Sequence, residues 1–204
     1  MKNIFTSPTL EDLIRLLKAW RFWVLGALAG AVVGAMFYFV APPPYRARAT
    51  VNVDFNMEQS WPQETDRQQF YYLEREARKL IEIAWSDDVM NQLSTEFALP
   101  VEDLRGGKLT LSQPAEAGWH FYADDNDTKT ASAIASAWAD TFFIRAQSEV
   151  DMGNIDPFVK LDVTQSADLP VDRSVSLGVY LLAGSVGFLT LAVFVVLFIV
   201  PKDQ

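Results

Sequence analysis

The side chains best suited to acid–base chemistry stand close together, at Asp124, Asp125 and Asp127. Neighbouring carboxylates can transfer protons or bind a cation. This run lacks the spaced oxygen ligands, the central glycine and the final glutamate of a calcium-binding loop. An acidic run directly before a helix instead caps that helix and complements the positive end of its dipole. The spacing therefore favours helix capping over catalysis or metal binding.

His120 is the single histidine, and the chain contains no cysteine. One imidazole rules out sites built from several histidines and most catalysis centred on histidine. The lack of thiols excludes disulfides, thiolate metal sites and cysteine nucleophiles. His120 stands between Trp119 and Phe121 in a predicted strand, so we expect a hydrogen-bonded or solvent-facing strand residue.

Two further motifs are too short to indicate a site. Gly106 and Gly107 lack the spacing and the lysine of a phosphate-binding loop. Asn126 begins an Asn-Asp-Thr pattern for glycosylation, which arises easily by chance. The sequence thus predicts no catalytic residue, no cofactor and no metal, and it favours a protein that is not an enzyme.

Two uncharged apolar blocks frame these residues, at 22–40 and 177–200. At about 1.5 Å per residue, each block is long enough as a helix to cross a hydrocarbon core of roughly 30 Å. The first block is long for a signal peptide, and no small-residue cleavage region precedes Pro42. We therefore expect two transmembrane helices, the first of them an uncleaved anchor.

Charge differs sharply between the segments. The arm 1–21 has a net charge of +2, whereas 12 basic and 23 acidic side chains give residues 42–176 a net charge of −11. Because positively charged flanks stay in the cytoplasm, we expect 1–21 and the tail 201–204 to be cytoplasmic and 41–176 to be extracytoplasmic. The acidic surplus disfavours nucleic-acid binding, which needs a basic face.

The arm before the first span has its own periodicity. Apolar residues recur at the spacing of one helical face from Leu10 to Trp20, and Ser7 followed by Pro8 marks a helix start. We expect an amphipathic helix on the cytoplasmic side, next to the membrane.

Small residues form a ridge on the first span. Gly26, Gly30 and Gly34 recur every four residues, and the second block carries Gly184 and Gly187. Such ridges let helices approach backbone to backbone. They predict packing between the two spans of one chain or between neighbouring copies. Alternatively, they reflect the general frequency of glycine in membrane helices.

Between the blocks, alternation from Tyr45 to Phe55 predicts a strand with one buried face, followed by a mixture of helical and strand periods. This order predicts a small α+β domain with a sheet of about four strands. Pro170 lies in the linker to the second span. The helical stripes are 70–84, 89–97 and 131–142, and the further strands are 109–112, 118–122 and 159–163.

Arg46 and Arg48 occupy the outward face of the first strand, shortly after the first span. This position suits contacts with anionic lipid headgroups or with an interface. Ion pairs with the acidic surplus of the domain, or simple solvation, are the alternatives.

Several passages stand in a characteristic order: TLEDLIRLLKAWRFW leading into the first span, the Pro44-Tyr45 join into RARATVNV, LPVEDLRGGKLTLS, DNDTKTASAIASAWAD, and Ala167 with Pro170. In these passages and in its order of elements, the sequence resembles the Wzz-type chain-length determinants, the polysaccharide co-polymerases of bacterial envelopes. A short connection, 145–157, stands where family members extend a long helical arm, and Pro170 stands alone where several prolines are usual. The chain is therefore similar to a short member that lacks the arm.

The resemblance implies a non-enzymatic homo-oligomer of the bacterial inner membrane that modulates polymerisation, chain length or export of a surface polysaccharide. Its implied partners are a separate polysaccharide polymerase or export machinery, and membrane lipid. The alternative is a structural scaffold, in which the same domain forms a ring around another membrane assembly without a glycan role.

Overall fold

The computed structural model describes residues 14, 16–56, 66–113, 118–168, 170 and 172–199. They form two compact units, of which one contains the apolar helices from both ends of the sequence and the other is the domain Pro44–Ser174. Residues 14 and 16–18 of the predicted amphipathic arm are helical. Ser7, Pro8 and the tail 201–204 lie outside the described residues.

The elements follow the predicted order. Short helical turns, Val101–Asp103 and the π-helical Leu104–Lys108, precede the second strand, and a π-helical turn, Val195–Ile199, ends the last helix. In chain order the elements are α1 (Trp20–Val40), β1 (Tyr45–Asp54), α2 (Asp66–Ala84), α3 (Asp87–Phe97), β2 (Leu109–Ser112), β3 (Trp119–Asp125), α4 (Thr128–Asp151), β4 (Lys160–Gln165) and α5 (Leu177–Phe194).

Helices α1 and α5 are long and apolar enough, by length and composition, to cross a membrane. The apolar segments Trp20–Val40 and Leu177–Leu197 have 21 residues each. Helix α1 begins two residues before the predicted span. The predicted layout of two apolar helices flanking a folded domain is therefore confirmed, and membrane insertion stays a prediction.

The domain contains an antiparallel four-stranded sheet in the order β2-β3-β1-β4. In the central strand β1, Ala47, Ala49 and Val51 are buried, whereas Arg46 and Arg48 are exposed. This is the predicted alternation, because successive side chains of a strand point to opposite faces. The four-stranded α+β domain is confirmed within the described residues.

Aromatic side chains fill the core where α4 packs against the sheet. The rings of Phe121 and Trp138 meet edge to face at 4.9 Å between centroids, and Trp119 stacks on Phe142 at 5.9 Å. The indole N–H of Trp138 donates to the carbonyl oxygen of Ala84 at 2.9 Å. This bond ties the end of α2 to the middle of α4 and satisfies a buried donor.

Several element boundaries differ from the predictions, and α4 and β4 continue past the predicted residues 142 and 163, to Asp151 and Gln165. Strand β3 ends at Asp125 rather than at residue 122, because its pairing with β1 continues to the Tyr45–Asp125 pair. Helix α2 begins at Asp66, before the first apolar residue of its stripe. The segment between α3 and β2, to which local periodicity assigns no element, forms the helical turns Val101–Asp103 and Leu104–Lys108, with Leu104 buried. Tertiary pairing and burial set these limits, which local periodicity does not define.

Candidate functional site

Helices α1 and α5 approach each other closely through three glycines. A Cβ atom on Gly30 would overlap the carbonyl oxygen of Gly184, and one on Gly184 would overlap that of Gly30. At Gly34 a Cβ atom would overlap the carbonyl oxygen of Tyr180. Contact of this kind requires residues without side chains. In the structure, the ridges therefore join the two helices of one chain.

Most of the remaining small residues also lie in the contact between α1 and α5, and one lies outside it. A Cβ atom on Gly26 would lie 3.2 Å from the Cβ of Ala192, and the hydroxyl of Ser185 donates to the carbonyl oxygen of Ala27 at 3.1 Å. A Cβ atom on Gly187 would meet nothing within 4 Å. Gly187 follows Gly184 by three residues, which turns it about 60° away around the helix. Its predicted packing role is therefore not part of this contact.

The acidic segment separates into a cap and two ion pairs. Asp127 caps α4, since its carboxylate accepts from the N–H of Thr130 at 2.8 Å and from the Thr130 hydroxyl at 2.9 Å. The pKa of Asp127 is lowered, first by the N–H of Thr130 and then by its hydroxyl. The capping prediction is correct for Asp127 and wrong for Asp124 and Asp125, which belong to β3.

Asp125 joins β3 to the turn before β2. It forms an ion pair with Lys108 and accepts from the N–H of Asp127 at 3.0 Å. Burial alone would raise the pKa of Asp125, but the hydrogen bonds from Asp127 and Lys108 outweigh burial and lower it. This carboxylate is therefore ionised, and it ties the end of β3 to the turn before β2 and to the start of α4.

Arg46 pairs with a carboxylate of the domain itself. Its guanidinium donates to both oxygens of Asp124, at 2.7 and 2.6 Å, and lies 5.7 Å from the ring centre of Tyr122. The Asp124 hydrogen bond outweighs partial burial and raises the pKa of Arg46. Of the alternatives for this arginine, the structure thus contains the ion pair, which bridges β1 and β3.

His120 and Arg48 occupy the same open face of the sheet. His120 Nδ1 lies 3.0 Å from the hydroxyl of Thr50, across the β1–β3 pair. Burial lowers the pKa of His120, and the nearby charge of Arg48 adds to this effect. His120 is therefore a hydrogen-bonded strand residue, as expected. Arg48 is exposed and makes no hydrogen bond or ion pair within the described residues.

A buried carboxylate, Glu76, was not singled out by the sequence. Its oxygens accept from Arg75 at 2.8 Å, from Lys79 at 3.0 and 3.1 Å, and from the N–H of Asp156 at 3.2 Å. Lys79 also donates to the carbonyl oxygen of Asn154 at 2.8 Å. Burial alone would raise the pKa of Glu76, but these hydrogen bonds outweigh it and lower the pKa. The cluster ties α2 to the connection between α4 and β4.

The two ends of the domain are bonded to each other. Tyr45 and Arg173 form an isolated antiparallel bridge, and the N–H of Ser174 donates to the carbonyl oxygen of Pro44 at 2.8 Å. The Arg173 guanidinium lies 4.3 Å from the ring centre of Tyr45 and donates to its hydroxyl at 3.2 Å. We call Pro44, Tyr45, Arg173 and Ser174 the neck. Sequence reasoning missed it, because a contact between residues 128 positions apart has no periodic signature.

Pro170 lies in the segment between β4 and the neck. This segment is attached to α4 at Ala167, whose carbonyl oxygen accepts from the Ser132 hydroxyl at 2.7 Å. The N–H of Ala167 donates to the Ser136 hydroxyl at 3.0 Å. The predicted linker is thus anchored to α4 at Ala167, ahead of the residues that form the neck.

A groove of about 490 Å³ runs along the start of the sheet, beside Pro44, Lys108 and Asp125. Its deeper carboxylates are the ones already engaged with Arg46 and Lys108. Among the described residues, no group of three or more histidine, aspartate or glutamate side chains is arranged to hold a metal ion. On this side of the domain, the charged side chains therefore form ion pairs that stabilise the fold.

Comparison of the sequence with models of known protein families gives no match. Comparison with curated proteins gives none either.

Proposed function

We propose that this chain is a protein of the bacterial inner membrane that crosses the bilayer twice and modulates polymerisation, chain length or export of a surface polysaccharide. Both termini lie in the cytoplasm, and the domain Pro44–Ser174 is extracytoplasmic. The protein acts as a homo-oligomer, without catalysing a reaction, beside a separate polymerase or export machinery. The observation that carries the proposal is the layout, in which one α+β domain is flanked by two apolar helices paired through glycines.

The sequence passages support the glycan role. The chain resembles the Wzz-type determinants from the region before the first span to the linker that contains Pro170. The described elements follow the same order, with α4 opening at the acidic turn of DNDTKTASAIASAWAD. The connection from α4 to β4 spans residues 152–159, so a glycan role here has to act through the domain and the spans rather than through a long arm.

The chemistry of the singled-out side chains supports a role through assembly. Asp124, Asp125 and Asp127 serve two ion pairs and one helix cap, and His120 bonds Thr50. Groups committed to such bonds stabilise the fold and do not converge on a shared position for a reacting atom. Binding to lipid or to a partner protein requires no such convergence.

The net charge supports the proposed orientation and limits which kinds of partner surface the domain can bind. The segment between the spans carries a net charge of −11, and the arm before the first span carries +2. An acidic domain is kept soluble outside the membrane and is repelled by anionic polymers. The partner surface is therefore expected to be basic or neutral, as a membrane-embedded enzyme with a polar rim can provide. Arg48 remains the candidate for contacts with lipid headgroups, since it is exposed and unpaired within the described residues.

Deletion of the gene tests the glycan role. We expect an altered length distribution or amount of a surface glycan on polysaccharide gels, restored by the wild-type chain. Variants His120→Ala and Asp125→Asn that still accumulate in the membrane should restore it as well, because the proposal gives these side chains no catalytic step. Loss of function in a folded, normally assembled variant of either kind would reopen an enzymatic role.

A second outcome would favour the scaffold. If the deletion leaves the surface glycans unchanged and the purified protein co-isolates with another membrane complex, the domain serves that complex instead. Single-particle images of the purified protein in detergent test the oligomeric state alone, because both functions predict rings. Monomers would contradict both.

A further inference from the structure

We propose that the two edge strands of the domain, β2 and β4, pair with each other between neighbouring copies of this chain, so that the sheet of one copy continues into the sheet of the next. The occupant of each edge is a second copy of the same chain. The proposal rests on the homo-oligomer of the proposed function and names the surface through which its domains assemble. Each copy offers β2 to one neighbour and β4 to the other.

Both ends of the sheet are edges among the residues that the structure describes. The strand order β2-β3-β1-β4 gives β2 and β4 one neighbouring strand each. Along such an edge, every second residue directs its backbone N–H and C=O groups away from the sheet, where they can pair with another chain. Natural edge strands are commonly protected by proline or by charged side chains. Strand β2 has the sequence LTLS, so it carries neither of these protections.

The two edges run in opposite directions, as antiparallel pairing requires. All three pairings within the sheet are antiparallel, so β3 and β4 run one way whereas β1 and β2 run the other. When β4 of a second copy extends the sheet beyond β2, it therefore continues the antiparallel alternation. The same step can be repeated at the next edge. A head-to-tail contact of this kind uses two different surfaces of each copy and closes into a ring when the rotation between copies permits it.

The apolar side chains of the two edges point to the same face of the sheet. Leu111, Leu161 and Val163 all pack against the core and are only partly buried. Setting Leu111 opposite Leu161 places Leu109 opposite Val163, and both apolar pairs then cover surface that the single domain leaves open. A shift by one residue would set apolar side chains against polar ones. A shift by two residues would keep the faces but set Leu109 against Gln165, so the first register is favoured.

On the open face, the same register brings complementary polar groups together. It sets Thr110 opposite Asp162 and Ser112 opposite Lys160, and all four residues are exposed. A hydroxyl group can donate to the carboxylate of Asp162 and can accept from the ammonium group of Lys160. No like charges face each other across this contact, which would have opposed the pairing. The chemistry of the open face therefore supports the register that the apolar face selects.

Cysteine cross-linking of the full chain in detergent tests the pairing, because the sequence contains no other cysteine. The variant combines Thr110→Cys with Asp162→Cys. Within one chain these positions lie on opposite edges, three strand spacings and so at least about 14 Å apart, which is too far for a disulfide. Across the proposed contact their Cβ atoms lie about 4.5–5.5 Å apart. We expect mild oxidation to give a ladder of dimers, trimers and larger covalent multimers on non-reducing gels.

Two kinds of control locate the contact. Thr110→Cys alone and Asp162→Cys alone should stay at the size of one chain on the gel, because head-to-tail pairing never sets either position against itself. Thr110→Cys combined with Asn52→Cys moves the second thiol to an exposed residue of the central strand β1 and should give no ladder. Tryptophan fluorescence and single-particle images of each variant verify that the domain is folded and that rings form.

Several results would overturn the edge pairing. A ladder of equal yield in the Asn52→Cys combination would show that thiols meet by random collision, and strong dimers from either single variant would show that like edges pair. The absence of a ladder in a chain that still forms rings would place the contact on another surface and leave the proposed function standing. Monomers in the images would remove the edge pairing and the proposed function together.

Discussion

Single side chains of the domain join segments that are far apart in the sequence. Glu76 is fully buried and yet charged, since Arg75, Lys79 and the N–H of Asp156 all donate to it. Asp127 is exposed, and its task is to satisfy the first turn of α4. A carboxylate thus joins distant segments where it is buried, at Glu76, and caps a helix where it is exposed, at Asp127.

Glu76→Gln is expected to destabilise the domain by about 1–3 kcal/mol. Arg75 and Lys79 would lose their negatively charged partner, and one buried acceptor oxygen would be replaced by an amide NH2 group, which donates. Urea denaturation of the full chain in detergent, followed by tryptophan fluorescence, measures the change. Glu82→Gln, on the same helix, is the control. An unchanged midpoint for Glu76→Gln would mean that the hydrogen bonds to Lys79 and Asp156 contribute little net stability.

The lowered pKa of Glu76 also predicts how stability depends on pH. A carboxyl group whose pKa is lower in the folded state contributes stability that is fully present above its unfolded pKa of about 4.3. This contribution is lost as the pH falls through the folded pKa. Asp125 acts in the same direction. Denaturation between pH 3 and 7 should show a shallower acid loss in Glu76→Gln than in the wild type, and parallel curves would contradict this assignment.

Removal of the α4 cap gives a sharper comparison between two variants. Asp127→Ala takes the acceptor away from the N–H of Thr130 and should lower the unfolding midpoint. Asp127→Asn should stay close to the wild type, because asparagine caps a helix about as well as aspartate. The same denaturation assay measures both. A loss of equal size in the two variants would assign the stability to the negative charge rather than to the hydrogen bond.

At the scale of elements, the contact between α1 and α5 depends on the absence of side chains. Gly30, Gly34 and Gly184 bring backbone against backbone, which maximises dispersion contacts between two helices that share an apolar surface. In the domain, β1 has the opposite construction. Its side chains alternate between a buried face of small apolar residues and an open face that carries Arg46 and Arg48.

Gly30→Ala is expected to weaken the pairing of α1 with α5 by about 1–3 kcal/mol, since the new methyl group would overlap the carbonyl oxygen of Gly184 and force the helices apart. Gly187→Ala is the matched control, because its Cβ would meet nothing within 4 Å. Both variants are measured by SDS titration of a purified chain that also carries Gly26→Cys and Ala192→Cys, with the disulfide yield between these two positions read on non-reducing gels. Equal behaviour of the two would mean that the ridge carries no pairing energy.

At the scale of the whole molecule, the two apolar helices and the charge difference between segments predict a topology. The arm 1–21 is basic, the segment 42–176 is strongly acidic, and two spans return the chain to its original side. The connection after α4 is an exposed turn, where Gly153 has a φ of +79° that suits glycine. This turn tolerates a fusion better than the sheet does.

Alkaline phosphatase fused at Gly153 should therefore be active, whereas the same enzyme fused after Gln204 should be inactive, because the phosphatase folds only outside the cytoplasm. Green fluorescent protein at the two positions should show the reverse. Activity at Gln204 together with inactivity at Gly153 would invert the topology. Since the proposed function requires the domain on the outer side of the inner membrane, that result would also remove its basis.

Much of this fold could be predicted from local periodicity. Alternation from Tyr45 to Phe55 indicated the central strand, the apolar stripe at 131–142 indicated α4, and uncharged runs indicated the two apolar helices. These patterns are visible without a structure because a strand repeats every two residues and a helix every 3.6. Each element then exposes or buries its side chains at intervals that the sequence itself displays.

Only the tertiary structure decided which distant side chains meet. The pairing register of β1 and β3 set Arg46 against Asp124, and the return of the chain to the start of β1 set Arg173 against Tyr45. A shift of one residue in that register would move every partner to the other face of the sheet. Periodicity assigns a residue to a face, whereas its partner depends on strand order and register, which are properties of the packed domain as a whole.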